Sequence, residues 1–216
     1  METEQKLNQH LAVVFEEILP AFTEAGIKYW VFGGVGVAGV AGKFLRENQD
    51  IDTYVLEEDF PKVEPILKRL VEKHGAWDAE GWDLRYSMMK NNGRPKFDIF
   101  IRKVERFSVF PVYKVADGVE FRILETVKLS DDALIQEPKT LEGFQFFSPP
   151  KEVISQLLRS LAEQVIKRYD PVRHPKKLDT GSKHMIDAQA IFTKEELDDL
   201  LTRYEEKVKA TEDALQ

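Results

Sequence analysis

One stretch near the N-terminus, from Tyr29 to Asp52, constrains the fold more than any other. It opens with an apolar run of aromatic and β-branched residues, which predicts a buried strand. At Gly33 and Gly34 the backbone can turn tightly and present N–H groups to an anion. A glycine-rich segment, expected to be a helix packed closely on the sheet, leads into an alternating strand. Because strand side chains alternate between faces, Asp50 and Asp52 are expected on one side, about 7 Å apart at their Cα atoms.

Two carboxylates beside a glycine turn suggest a metal-bound phosphate. A third carboxylate, Asp98, lies in the apolar run from Lys96 to Ile101, where a buried charge needs a partner or a metal. If that strand lies beside the strand of Asp50 and Asp52, the three carboxylates converge. Such an oxygen-rich cluster suits Mg²⁺, which keeps coordination sites for water and phosphate oxygens. Two such ions can activate an attacking oxygen and stabilise a leaving pyrophosphate.

Composition limits the classes of function. The chain has 216 residues, 43% hydrophobic and 32% charged, which is typical of a soluble globular protein. It has no cysteine, which excludes disulfides, thiolate catalysis and zinc–thiolate sites. No apolar run approaches the ~20 residues of a membrane span and no signal peptide is evident, so we expect a cytoplasmic protein. The net charge of −7 argues against a broad nucleic-acid surface but leaves a local basic site open.

Hydrophobic periodicity predicts an α+β fold, in which a mixed sheet with flanking helices is followed by a C-terminal helical region. The predicted catalytic domain is 1–125, and the mainly helical region is 126–216. Residues 5–25 are expected to form an amphipathic helix that ends at Gly26. A second amphipathic helix begins near Phe60. Further strands are predicted at 82–89, 96–101, 109–115 and 119–123, with a turn at Asn91-Asn-Gly93.

The periodicity is poor from Glu125 to Phe147, which predicts connecting structure. Ser148-Pro-Pro predicts a helix start with Ser148 as the capping residue, and that helix runs to about Arg168. A basic loop, 167–184, follows. Two more helices close the chain, the first around Met185–Phe192 and the second opening with a capping box at Thr193–Glu196.

The motifs of residues 29–101 resemble those of the DNA-polymerase-beta-type nucleotidyltransferase superfamily. The shared features are the double glycine Gly33-Gly34, the pair Asp50-x-Asp52 and the lone Asp98. Within that superfamily, Arg46-Glu-Asn-Gln-Asp-Ile-Asp52 is similar to the Arg-x-x-x-Asp-Ile-Asp stretch of lincosamide and aminoglycoside nucleotidyltransferases and of toxin-type (abortive-infection) members. Lys183-His-Met-Ile-Asp187 falls where some members have a lysine and an aspartate on a C-terminal helix.

The resemblance implies transfer of an NMP group from an NTP to a hydroxyl, with Mg²⁺, two ions expected, as the cofactor. The metal ligands and catalytic residues would be Asp50, Asp52 and Asp98, and Asp98 would help to deprotonate the acceptor. The nucleotide contacts would come from Gly33, Gly34, Arg46 and Lys183. For Arg46, contact with phosphate and pairing with Asp50 are both open. The acceptor is expected in the cleft between the two regions, and an antibiotic, a small metabolite, a tRNA end and a protein hydroxyl all fit.

Other interpretations of these signals remain. Gly34-Val-Gly36-Val-Ala-Gly39 after a strand also fits the dinucleotide-binding G-x-G-x-x-G, with Glu57 or Glu58 placed for a ribose contact, as in an NAD(P)-dependent oxidoreductase. The glycines can also serve only for close helix packing. A catalytically degenerate member, acting as a toxin or as a partner in a toxin–antitoxin pair, is a further alternative.

Overall fold

The computed structural model describes residues 8–74, 83–89, 94–101, 104–122, 125–170 and 182–214. The predicted turn at Asn91-Asn-Gly93 and most of the basic loop, residues 171–181, lie outside the described residues. Within the described ranges a mixed sheet is flanked by helices on both faces, and three helices close the chain. The predicted α+β class is therefore confirmed.

The chain begins with a continuous helical segment that changes its winding. A 3-10 turn, Gln9–Leu11, is followed by a π-helical stretch, Val14–Ile18, and then by helix α1, Leu19–Glu24. Gly26, with φ at +70°, ends the segment as predicted, since glycine adopts this left-handed conformation without strain. Its apolar stripe packs on one face of the sheet through Leu11, Val14, Phe15, Ile18, Leu19 and Phe22.

Seven strands form the main sheet in the described part of the chain. The elements up to the end of this sheet are β1 (Tyr29–Phe32), α2 (Gly33–Ala41), β2 (Asp50–Leu56), α3 (Phe60–His74), β3 (Asp83–Met89), β4 (Arg94–Ile101), β5 (Val104–Val115), β6 (Gly118–Arg122) and β7 (Thr126–Leu129). The main path of the sheet runs in the order β1-β2-β5-β4-β3, β6 pairs with β5, and β7 pairs with β6. Strand β1 pairs antiparallel with β2, whereas β2 pairs parallel with β5.

The segment predicted to be irregular contains regular structure. Besides β7, it holds a 3-10 turn, Asp131–Leu134, and a hairpin of β8 (Glu137–Leu141) and β9 (Phe144–Ser148). The pattern of β8 is weak because charged Glu137 and Lys139 lie on the same strand face as buried Leu141. Buried Phe144 and Phe146, on either side of an exposed residue, were the available signal.

Three helices close the chain: α4 (Lys151–Lys167), α5 (Lys183–Ile191) and α6 (Lys194–Asp213). The predicted cap of α4 was wrong, because Ser148 is the last residue of β9 and Pro150 occupies the N-cap position. The capping box of α6 at Thr193 and Glu196 is confirmed. The predicted division near residue 125 falls between β6 and β7, which pair in one sheet. None of the helices in the described ranges combines the length and the hydrophobicity of a membrane-spanning segment.

The two faces of the sheet carry different cores. The first packs on the N-terminal helical segment and α3, and it includes Ile51 and Phe107. The second packs on α2 and α4, and it includes Trp30 and Tyr54. Side chains two residues apart in a strand share a face, so Asp52 lies on the second face with Tyr54, opposite to Ile51. The carboxylates therefore stand at the polar end of a face that is otherwise apolar.

Candidate active site

The structure places Asp52 and Asp98 in one row across three strands. Asp52 of β2 is in register with Ser108 of β5, and Ser108 is in register with Asp98 of β4. The condition for convergence, that the strand of Asp98 lies directly beside that of Asp50 and Asp52, is not met, because β5 runs between them. With strands about 4.8 Å apart, the Cα atoms of Asp52 and Asp98 are about 10 Å apart. All three side chains still face the same side of the sheet.

Asp98 is buried and has two close partners. Its Oδ1 accepts a hydrogen bond from Ser108 Oγ at 2.7 Å, and its Oδ2 lies 2.8 Å from Lys96 Nζ. Both members of the ion pair are largely buried, with side chains 11% exposed for Lys96 and 8% for Asp98. Sequence reasoning missed Lys96, although its position two residues before Asp98 in a strand puts both on one face. The partners fix the orientation of the carboxylate.

Asp50 and Asp52 form a second group on the same face. Asp50 Oδ2 lies 3.5 Å from Arg106 Nη2, and the two residues are in register on β2 and β5. Burial and, secondly, the charge of Asp50 raise the pKa of Asp52, nearby cations lower it, and the net result is a pKa of about 6. Those cations are Arg106, Lys96 and Lys183. Sequence reasoning also missed Arg106, because only the pairing of β2 with β5 brings it to the site.

The glycine turn lies directly against Asp52. Phe32, the last residue of β1, is in register with Asp52, and Gly33 then turns the chain into α2 with φ at +65°. A Cβ on Gly33 would lie only 3.0 Å from Asp52 Oδ2. No side chain caps the N-terminus of α2 in the described structure, so its first-turn N–H groups can bind an anion. The predicted proximity of the double glycine and the carboxylates is therefore observed.

Of the two partners considered for Arg46, the pairing with Asp50 is not the one observed. Arg46 donates two hydrogen bonds to Asp187 of α5, while Asp50 pairs with Arg106. Its guanidinium also lies at Gly34, where an added Cβ would overlap Nη2. Lys183 is the first residue of α5 and is exposed, and it is close enough to act on the pKa of Asp52.

The residues at this end of the sheet have the chemistry to hold a magnesium ion. Asp50 and Asp52 offer hard oxygen ligands from one side of β2. A divalent cation would offset the effects of burial and of the Asp50 charge, which together raise the pKa of Asp52. In the part of the chain that the structure describes, no three His, Cys, Asp or Glu side chains group closely enough to hold one ion. A site with two carboxylates suits Mg²⁺, which takes its other ligands from water and phosphate.

Replacing Gly34 by alanine is expected to lower the free energy of unfolding by about 1–3 kcal/mol. The added Cβ would overlap the Arg46 guanidinium and Asn48 Oδ1, so both buried side chains must shift. Chemical denaturation checks this result. Gly39→Ala in the same helix is the control. A Cβ added at Gly39 would have its nearest neighbouring atoms at 3.2 Å, so this variant is expected to lower the free energy of unfolding less. Equal stability of Gly34→Ala and the wild type would contradict the observed packing.

Comparison with known proteins agrees with this geometry. Residues 14–101 match the family model described as Aminoglycoside-2''-adenylyltransferase, and they include the glycine turn and all three aspartates. No curated protein matches the chain in sequence. The antibiotic-resistance factor ANT(2'')-Ia is 16% identical with a TM-score of 0.57, covering 96% of this chain and 98% of its own. The lincosamide antibiotic adenylyltransferase LnuA, with lincomycin bound, is 17% identical with a TM-score of 0.53, covering 87% and 98%.

A protein from Thermotoga maritima, described as a candidate nucleotidyltransferase, is similar as well, at 13% identity and a TM-score of 0.51, covering 76% of this chain and 92% of its own. The chain therefore has the nucleotidyltransferase fold, and the resemblance predicted from its motifs is confirmed. The dinucleotide interpretation finds no support, because that fold needs a parallel βαβ unit and β1 pairs antiparallel with β2.

Proposed function

We propose that the chain is a Mg²⁺-dependent nucleotidyltransferase, which moves an NMP group from an NTP to a hydroxyl of an acceptor, with the cytoplasm as the expected compartment. The observation that carries the proposal is the contact between the glycine turn and the carboxylates. Gly33 lies against Asp52 Oδ2 at the uncapped N-terminus of α2. A phosphate group and a metal ligand thus share one place, as phosphoryl chemistry requires.

The chain's own residues divide the work in this proposal. The first-turn N–H groups of α2 at Gly33 and Gly34 bind phosphate oxygens, and Lys183 adds positive charge from α5. Asp50 and Asp52 would hold Mg²⁺, which supplies charge neutralisation at the triphosphate and at the leaving pyrophosphate. Asp98 as a further metal ligand, and a second ion, stay predictions.

The bond changes of the transfer follow from the substrates. The acceptor oxygen forms a bond to the α-phosphorus, the bond from that phosphorus to the bridging oxygen breaks, and pyrophosphate leaves with the electron pair. Asp98 accepts the acceptor's proton, and Ser108 and Lys96 hold its carboxylate in a fixed orientation for that step. These partners leave each carboxylate oxygen a further lone pair for a proton.

The comparisons favour ATP as the donor and a small hydroxyl compound as the acceptor. LnuA is an adenylyltransferase with lincomycin bound, and ANT(2'')-Ia is known in complex with adenylyl-2''-tobramycin. At 16–17% identity these proteins share the fold with this chain, and we propose the same type of reaction without naming the particular acceptor. A tRNA end or a protein hydroxyl remains compatible with the site.

Calorimetric titration tests the proposal. ATP, GTP, CTP and UTP are each titrated with and without Mg²⁺ into the wild type and into Asp50→Asn/Asp52→Asn. We expect one NTP to bind the wild type only with Mg²⁺ and the double variant to lose that binding, because the charge that holds the metal is gone while the shape is kept. Binding of NAD or NADP without metal, or absence of any NTP binding, would contradict the proposal, and the latter favours a degenerate partner protein.

A further inference from the structure

Arg46 and Asp187 form a buried ion pair between two distant parts of the chain. Arg46 lies in the loop between α2 and β2, and Asp187 lies on α5, 141 residues later. Arg46 Nε donates to Asp187 Oδ1 at 3.1 Å, and Nη2 donates to Oδ2 at 2.7 Å. The side chains are only 15% and 6% exposed. A two-point contact of this kind fixes the plane of the guanidinium as well as its position.

The backbone around Arg46 is held by a separate network. The side-chain amides of Asn8 and Asn48 both donate to the Arg46 carbonyl oxygen at 3.1 Å. The Asn48 N–H donates to Asn8 Oδ1 at 2.6 Å, and His10 Nε2 lies 2.6 Å from the Asn48 carbonyl oxygen. The loop is therefore anchored to the N-terminal helical segment independently of the ion pair. What Asp187 controls is the far end of the Arg46 side chain.

That far end lies at the first turn of α2. An added Cβ on Gly34 would overlap both Arg46 Nη2 and Asn48 Oδ1, so the absence of a side chain at Gly34 makes room for them. Asn48 is 1% exposed, and its Oδ1 has no hydrogen-bond partner within the described structure. An unpartnered buried polar atom and a guanidinium therefore both stand at the uncapped N-terminus of α2.

We propose that Asp187 is a positioning residue that holds the Arg46 guanidinium at Gly34, where Arg46 contacts a phosphate oxygen of the nucleotide. This inference rests on the proposed function and deepens it, since it makes nucleotide binding depend on the docking of α5 against α2. A guanidinium has five N–H groups. Two bond to Asp187 and one bonds to the Glu47 carbonyl oxygen, so N–H groups remain for a further acceptor.

Stability alone is a weak reason for such a pair. The free-energy penalty of removing two charges from water cancels much of their Coulomb attraction, so a buried ion pair often contributes little net stability. A bidentate pair does restrict the guanidinium to one orientation before ligand arrives, which lowers the entropy lost on binding. Arg46 and the helix terminus then act together on one anion.

The first experiment compares Asp187→Asn with the wild type by calorimetry, using ATP, GTP, CTP and UTP separately with Mg²⁺. We expect the affinity of the NTP that binds the wild type to fall at least about tenfold, the loss typical of one charge-assisted hydrogen bond. Asp187→Glu, which keeps a carboxylate, is expected to retain most of the affinity. Glu163→Gln removes one of the two carboxylate partners of Arg203, in an exposed ion pair between α4 and α6, and serves as the control, with unchanged affinity expected.

Exchanging the two charges distinguishes a role of Asp187 in positioning Arg46 from a purely stabilising role of the ion pair. Arg46→Asp/Asp187→Arg restores an ion pair but moves the cation onto α5. We expect its thermal unfolding midpoint to exceed that of each single variant while NTP affinity stays reduced. If the swap restores affinity, or if folded Asp187→Asn binds NTP as tightly as the wild type or more tightly, the proposal is wrong.

Should Asp187→Asn fail to fold, Arg46→Lys replaces it, and unchanged affinity there would equally overturn the proposal. If the wild type itself binds no NTP, the proposed function has failed first.

Discussion

Replacing Asp52 by asparagine is expected to make the metal-free protein more resistant to unfolding at neutral pH and to abolish Mg²⁺-dependent nucleotide binding. Burial and the charge of Asp50 raise the pKa of Asp52 from 3.8 to about 6 in the folded protein. Ionisation of Asp52 therefore lowers the free energy of unfolding. The wild type has its full stability with respect to this group below pH 3.8 and loses it as the pH rises through about 6. The difference corresponds to about 3 kcal/mol at neutral pH.

The measurement is the free energy of unfolding of metal-free wild type and Asp52→Asn between pH 4 and pH 8, by chemical denaturation. We expect the advantage of the variant to grow through the range from 3.8 to about 6 and to level off above it. Asp117→Asn, in an exposed turn, is the control and should follow the wild type. A variant that is less stable than the wild type at pH 8 would show that the Asp52 charge is already compensated. The proposal that the Asp52 charge lowers stability but is needed for Mg²⁺-dependent binding would then be wrong in its first part.

Replacing Lys96 by methionine is expected to cost the protein about 3–5 kcal/mol of unfolding free energy, because it leaves the buried Asp98 carboxylate without its counter-ion. Ser108 alone can donate only one hydrogen bond to that carboxylate. The long methionine side chain keeps most of the volume, so the loss reports charge rather than a cavity. If Asp98 takes the acceptor's proton, the same variant should also lower kcat.

A double variant separates the two explanations for that loss. Lys96→Met/Asp98→Asn removes the charge as well as its partner, and we expect it to unfold less readily than Lys96→Met alone. Lys68→Met breaks an exposed i,i+4 pair with Glu64 and is expected to change stability by no more than about 0.5 kcal/mol. If Lys96→Met costs as little as Lys68→Met, water or another group compensates Asp98. The assignment of Lys96 as its counter-ion would then be wrong.

These expectations share one physical feature, which is the concentration of charge on a sheet face that is otherwise apolar. Two carboxylates stand close together on β2, while the third is compensated by a buried lysine one strand beyond β5. The repulsion at Asp50 and Asp52 is the cost of a site that can attract a divalent cation. The charge of Asp98 is neutralised by Lys96, which suits a carboxylate that has to keep one orientation. The two groups are thus prepared for different tasks in the proposed reaction.

Local sequence determined the parts of this site that depend on neighbouring residues. An apolar run followed by two glycines gave β1 and the turn into α2, and the two-residue period of a strand put Asp50 and Asp52 on one face. Short strands such as β8 and β9 escaped prediction because five residues make a weak pattern, and because β8 carries Glu137 and Lys139 on the face of its buried Leu141.

Tertiary structure decided which of these residues meet. The insertion of β5 between β2 and β4 puts Ser108 between Asp52 and Asp98 and brings Arg106 to Asp50, and no local pattern encodes strand order. The pairing of Arg46 with Asp187 depends on how α5 docks 141 residues further along the chain. Periodicity predicts which face of an element a side chain occupies. The partner on that face is selected by the packing of the whole chain, because contacts between distant segments form only when their apolar surfaces are buried together.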